Sequence, residues 1–214
     1  MNVVNVALLA VTAVLVSGAE TGRAAGPGEE TSPSVDTRQE TLQPMTETIS
    51  LAEFDAAGGN AWQSIDDVVM GGSSGSRMRR TGSATGIFEG EVSLANNGGF
   101  ASVRRAVGPL DLTAYDGLVL RVRGDGQRYR LRLRTDRRFD GVAWQADFPT
   151  TAGQWTVVVL PFPDFEPSYR GRRPPDAGPL DAASISQVGL MIADRQGGPF
   201  RLEIDWIRAH GTGQ

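Results

Sequence analysis

Two short runs constrain this chain more than any other feature. In residues 118–123, Leu118, Leu120 and Val122 alternate with Val119, Arg121 and Arg123. In residues 128–134, Tyr129, Leu131 and Leu133 alternate with Arg128, Arg130, Arg132 and Arg134. Successive side chains of an extended strand point to opposite faces, so each run has one apolar face and one arginine face. Gly124-Asp125-Gly126 lies between them and reads as a turn. The runs are therefore expected to form a hairpin, its apolar face on a core and its arginine face away from it. The same pattern gives strands near 86–95, 100–106, 142–149, 155–161, 185–192 and 200–209. No long segment after the first 48 residues has helical periodicity, and glycine and proline punctuate the strands throughout. The predicted fold class is all-β: an antiparallel β-sandwich or jelly roll.

The chain of 214 residues suits one such domain with a tail. Residues 3–16 are nearly all apolar and lead into Ser17-Gly18-Ala19, a small-residue pattern typical of signal-peptidase cleavage. Residues 1–19 therefore read as a signal peptide or, if uncleaved, a membrane anchor, and the domain is expected to be exported, extracytoplasmic or periplasmic. Residues 20–48 are rich in Gly, Pro, Ser, Thr and Glu and poor in large apolar side chains, so they read as a disordered, flexible tether. The folded domain is expected over 49–214.

Composition then removes whole classes of chemistry. There is no cysteine and no lysine, and His210 is the only histidine, so thiolate metal sites, cysteine nucleophiles and paired imidazoles are all absent from the sequence. The first 48 residues carry six acids against two arginines, and the remainder holds 19 charges of each sign. A duplex-binding surface needs a basic excess, so nucleic acid is not expected as a partner. Asp66-Asp67 alone does not make a calcium loop, and no metal or other cofactor is expected. Gly71-Gly72-Ser73-Ser74-Gly75 matches the Gly-x-Ser-x-Gly pattern, but residues 77–82 lack the helix that a nucleophile elbow needs.

A set of ordered blocks carries a family resemblance. Trp62-Gln63-Ser64-Ile65-Asp66-Asp67-Val68-Val69-Met70-Gly71-Gly72-Ser73-Ser74 is followed by Phe88-Glu89-Gly90 and Asn97-Gly98-Gly99-Phe100-Ala101-Ser102-Val103-Arg104. Tyr115-Asp116-Gly117-Leu118 leads into Arg121-Val122-Arg123-Gly124-Asp125-Gly126. Gly153-Gln154-Trp155, Leu160-Pro161-Phe162, Arg170-Gly171-Arg172 and Gly198-Pro199-Phe200-Arg201-Leu202-Glu203-Ile204-Asp205-Trp206-Ile207 complete the series. Together they resemble the complex I intermediate-associated protein 30 family from about Trp62 onward. The resemblance implies a galactose-binding-like jelly roll, similar to some carbohydrate-binding modules, with no catalytic residues. It also implies work as an assembly factor on a protein client, with binding of extracytoplasmic glycans as the alternative.

The candidate binding residues follow from these patterns. Asp66 and Asp67 flank a glycine-rich corner that serves either as a tight structural turn or as a ligand-facing loop, with Trp62 beside it. Asn97 lies in a turn-forming Asn-Asn-Gly-Gly run. Arg104, Arg121 and Arg132, with Glu203 and Asp205, are expected on an arginine-rich strand face, either as an ion-pair ladder or as a recognition surface. Glu203 and Asp205 share strand parity, the spacing from which an acid/base pair is built, although the neighbouring arginines make a ladder the simpler reading. Trp155 and Trp206 are expected in the core through their alternation with valine and isoleucine, and Trp144 packs similarly. Residues 161–179 form the longest irregular stretch, where Arg170 and Arg172 sit among aromatics and prolines in a mix suited to a protein interface.

Overall fold

The computed structural model describes residues 49–54 and 62–211. The leader (1–19) and the tether (20–48) lie outside the described residues. Twelve strands are present among them: β1 (Ser50–Glu53), β2 (Gln63–Ser64), β3 (Gly75–Arg80), β4 (Gly86–Val92), β5 (Ala101–Leu110), β6 (Gly117–Arg123), β7 (Arg128–Arg134), β8 (Ala143–Pro149), β9 (Trp155–Pro161), β10 (Glu166–Ser168), β11 (Ile185–Ile192) and β12 (Gly198–His210). They form two antiparallel sheets. In sheet A the order is β3-β4-β12-β6-β9, with β1 also pairing β12; in sheet B it is β10-β8-β7-β11-β5-β2. Among the described residues the helical elements are short 3-10 turns.

Leu118, Leu120 and Val122 of β6 and Tyr129, Leu131 and Leu133 of β7 are all within 1% of complete burial, as the alternation requires. The two strands do not, however, form a hairpin. β6 lies in sheet A between β12 and β9, and β7 lies in sheet B between β8 and β11. The apolar faces therefore meet across the sandwich, and the two arginine faces point out of it on opposite sides.

The crossover from β6 to β7 is fixed by local chemistry. Asp125 accepts hydrogen bonds from the Tyr129 hydroxyl at 3.0 Å, from the Gln127 amide at 3.1 Å and from the Arg201 amide at 2.7 Å, tying the connection to β12. Burial, and next the Asp125 charge, push the Tyr129 phenol well above its ordinary pKa, so it acts here as a fixed donor. Gly124 is needed because a Cβ there would lie 2.2 Å from Thr150 Oγ1.

A β-bulge at Asp205 alters the reading of β12. Ile204 pairs with Val122 and Trp206 with Arg121, so one residue is skipped and the alternation changes phase. Trp206 consequently sits on the outer face of sheet A rather than with Leu202 and Ile204 in the core. Trp155 does share a face with Val157 and Val159, but that face is also the outer one: Val157 is 56% exposed and Val159 46%. Trp144 packs inward as expected and donates its Nε1 proton to the Gly178 carbonyl at 3.1 Å. The stretch after β9 is less irregular than its prolines suggest, since β10 pairs with β8 and Phe165 is buried.

Candidate functional site

The signature corner is built around two carboxylates. Asp67, 1% exposed, accepts hydrogen bonds from the Ser74 amide at 2.8 Å, the Ser74 hydroxyl at 2.6 Å, the Gly99 amide at 2.7 Å and the Phe100 amide at 3.3 Å. Burial by itself would raise its pKa, but the Ser74 hydroxyl and the three amides outweigh it and hold the group below the ordinary aspartate value. Asp66 likewise accepts from the Ser76 amide and hydroxyl and from the Ser102 amide, at 2.9, 2.6 and 2.9 Å. The two acids clasp the 3-10 turn Asp67–Met70 to β3 and β5. The structure thus gives them a stapling role, with the Asp67 carboxylate buried among its donors. Asn97 ends the short 3-10 turn Ala95–Asn97 beside the same corner.

Ser73 donates to the Ser93 hydroxyl at 2.8 Å and is followed by strand β3, so the serine-nucleophile geometry is missing. Trp62 stacks on Phe54 with ring centroids 6.2 Å apart and lies against the core, with the Arg105 guanidinium 5.9 Å from its ring.

The outer face of sheet A carries Trp155, Val157 and Val159 from β9, Val119, Arg121 and Arg123 from β6, and Glu203, Asp205 and Trp206 from β12. Arg123 pairs with Glu203 at 2.6 Å and Arg121 pairs with Asp205. Thr85 adds a hydrogen bond to Glu203 at 2.7 Å. Burial opposes ionisation of Glu203, yet Arg123, Thr85 and Arg201 hold its pKa below the ordinary value. Both carboxylates are thus paired with arginine in a ladder, which does not suit the general-acid half of a glycosidase pair. The Arg121 and Arg123 guanidinium carbons lie 4.5 and 5.0 Å from the Trp155 ring centroid, and Arg208 lies 4.7 Å from that of Trp206. Further along the same sheet, Glu89 accepts from Arg77, Arg79 and Arg201. Hydrogen bonding from Arg79, with help from Arg77, holds its pKa at about 2 against the opposing effect of burial.

The expected grouping of Arg104, Arg121 and Arg132 on one face does not occur. Arg121 belongs to sheet A, whereas Arg104 and Arg132 lie on the outer face of sheet B, because β6 and β7 separate instead of pairing. One row across sheet B reads Gln145, Arg132, Gly189, Arg104, Gln63 in hydrogen-bonded register. Arg130, two residues from Arg132, is paired with Asp147 at 2.6 Å and Asp194 at 2.7 Å. Arg134, read from its alternation with Leu133 onto the same arginine face but not among the candidate binding residues, completes the cluster with Arg104 and Arg132.

Arg170 and Arg172 belong to neither face. Arg170 and Gly171 have φ values of 51° and 75° and form the tip of a tight turn closed by mutual backbone bonds between Tyr169 and Arg172. Arg170 reaches Asp140 at 2.6 Å and lies over the Tyr169 ring, while Arg172 is exposed. No group of three or more metal-ligating side chains occurs among the described residues.

A model of the complex I intermediate-associated protein 30 family matches residues 52–204. The protein named "Complex I intermediate-associated protein 30, mitochondrial" in Drosophila melanogaster is 28% identical over 169 residues, covering 68% of this chain and 57% of the fly protein. The Mus musculus protein of the same name is 39% identical over 101 residues, covering 45% of this chain and 31% of the mouse protein. The chain therefore spans about half or less of these curated relatives' lengths. Among solved structures, the family 11 carbohydrate-binding module from Clostridium thermocellum, crystallised with a β-1,3-1,4-mixed-linked tetrasaccharide, gives a TM-score of 0.59 at 17% identity. The match covers 77% of this chain and 95% of the module. At that identity the likeness shows the fold, a jelly roll of the carbohydrate-binding-module kind, and nothing about ligand. The expectation of an exported, extracytoplasmic domain is overturned here, since the relatives are named as mitochondrial proteins. The fold agrees with the family model over most of the described chain, and the protein belongs to the complex I intermediate-associated protein 30 family.

Proposed function

We propose that this protein is a non-catalytic binding module that holds a protein client during assembly of a membrane complex of the complex I kind. The family supports the assembly role. The observation that carries the mode of action is the outer face of sheet A, where exposed Val157 and Val159 lie beside Trp155 on an edge strand. Tryptophan and arginine dominate the energetics of protein interfaces, and an apolar centre rimmed by paired charges is the usual anatomy of such a surface. Arg121, Arg123, Glu203 and Asp205 supply that rim. The guanidinium groups over Trp155 and Trp206 also occupy the ring faces that a sugar-stacking platform would use, which favours a protein client over a glycan.

The test is crosslinking and capture of partners by the full chain from native membranes, comparing wild type with a Val157→Glu/Val159→Glu variant. Both side chains point outward, so the fold is expected to survive. Respiratory-complex subunits are expected with wild type and are expected to be lost with the variant. Equal capture by both chains refutes this face as the client surface, and saturable retention on polysaccharide that free sugar reverses refutes the protein-client reading.

A further inference from the structure

Among the described residues, the outer face of sheet B holds three guanidinium groups that pair with no carboxylate. Arg132 makes no hydrogen bond or ion pair among them, and its Nε is buried without a partner. Arg104 donates only to the Phe139 carbonyl at 3.1 Å, and Arg134 only to that of Gly141 at 2.9 Å. The nearby acids form their ion pairs elsewhere, Asp136 with Arg138, Asp140 with Arg170, and Asp147 and Asp194 with Arg128 and Arg130; Asp136 acts on Arg104 and Arg134, and Asp140 on Arg134, only through their charge, and no acid does so on Arg132. Burial first, then the charges of Arg134, Arg130 and Arg104, push the Arg132 pKa down to about 10. A half-buried cation among like charges, its Nε fully covered, is costly unless something neutralises it.

The space for such a group is present. Gly189, between Arg132 and Arg104 in the register, has no side chain, and a cavity of about 30 Å³ opens there against Arg104, Arg132, Arg134 and Gln187, with Ile65 as apolar wall. A space this small suits a head group of few atoms, such as a carboxylate, better than a bulkier one. Planar guanidinium forks are suited to the same shape, and the apolar wall suits the carbon behind the head group.

We propose that Arg104, Arg132 and Arg134 form a receptor for a single carboxylate group, on the sheet opposite the Trp155 surface. Its source is an acidic side chain of the client. That last assignment rests on the client-binding reading, whereas the receptor itself does not.

The buried Arg132 Nε–H is a direct reporter in nitrogen-15 NMR of the full chain. Sodium acetate is expected to shift it saturably, while sodium chloride at the same ionic strength gives only a small, unsaturable drift. In R104Q the acetate midpoint is expected to rise about tenfold, the effect of losing one charge-assisted contact. R132Q, followed through Arg134, is expected to abolish saturation; R104Q keeps the test open should R132Q fail to fold. An acetate response equal to that of chloride, or one unchanged in R104Q, overturns the receptor. Tighter saturation by inorganic phosphate than by acetate overturns the carboxylate assignment. If acetate binds but R104Q captures membrane subunits at the wild-type level, the client source is overturned and the receptor stands. Failure of the Val157→Glu/Val159→Glu test leaves the acetate result untouched.

Discussion

Replacing Gly72 with alanine would put a methyl group 2.3 Å from both Cγ and Oδ1 of Asp67. Atoms do not approach so closely, so the carboxylate must leave its place or the corner must open. Either way the amides of Ser74, Gly99 and Phe100 and the Ser74 hydroxyl lose the acceptor they now share. Hydrogen bonds to a charged group are worth about 1.5–3 kcal/mol each, but Gly99 and Phe100 are only half-buried and water can replace part of what they lose. A cost of about 3–4 kcal/mol is therefore expected for Gly72→Ala, and a similar one for Asp67→Ala. For a domain of this size that is a drop in Tm of about 8–14 °C. Urea and thermal unfolding followed by tryptophan fluorescence will measure both. The decisive comparison is the double variant. If Gly72→Ala acts through the carboxylate, it should add less than about 1 kcal/mol once Asp67 is already alanine, the residue being the contact with Asp67 Cβ at 2.9 Å. Additive losses of about 6–8 kcal/mol would show that the glycine serves the backbone and not the aspartate.

Two further outcomes are expected. The Glu89 pKa falls from an ordinary 4.5 to about 2 in the folded chain, so its contribution is fully present above pH 4.5 and is lost as the pH falls toward 2. The arginines around it are substantially exposed and screened, which reduces the gain to about 1–2 kcal/mol; Glu89→Gln should flatten the fall of the unfolding free energy between pH 5 and pH 2 by about that amount, and an unchanged acid slope would refute it. Gly124→Ala would collide with Thr150, whose hydroxyl donates to the Gln127 carbonyl at 2.8 Å, and should cost about 2 kcal/mol. Thr150→Gly should restore most of that in an unfolding titration; no rescue would locate the cost in the backbone.

The alternation at 118–134 identified which side chains are buried, because a period of two is a property of a single strand. Whether two such strands pair or face each other is not. Gly124-Asp125-Gly126 looks the same in either case, and what separates them is the set of distant bonds that Asp125 makes to Tyr129 and to the Arg201 amide of β12. The arginine face was accordingly expected whole and is in fact divided between two sheets. Trp206 was misplaced for a different reason: a bulge adds one residue without any mark in composition, and every later side chain then changes face. At the signature corner, Asp66 and Asp67 were visible as chemistry, but only their partners decide between clasp and ligand site, and Ser74, Gly99, Ser76 and Ser102 are brought there by the fold. Arg132 was visible too, although its isolation became evident only when Asp147 and Asp194 were seen to choose Arg128 and Arg130.

Strand β9 joins these errors to function. Its inward side supplies Val158 and Leu160 to the core or its margin, yet Trp155, Val157 and Val159 make its outward side apolar as well. A strand that reads as apolar on both faces is normally central and covered, but β9 lies at the edge of sheet A. Proteins commonly protect such edges with charge, proline or a covering segment, since open apolar edges recruit other chains. Here Arg121 and Arg123 lie over Trp155, and the valines are left open. An edge built only for stability would place polar residues at 157 and 159 at little cost, because these side chains contribute no burial to the core. Valine at both positions is explained when another chain buries them, as proposed above, and the same reading accounts for Trp155, which alternation with these valines assigns to the core and the fold places on the surface.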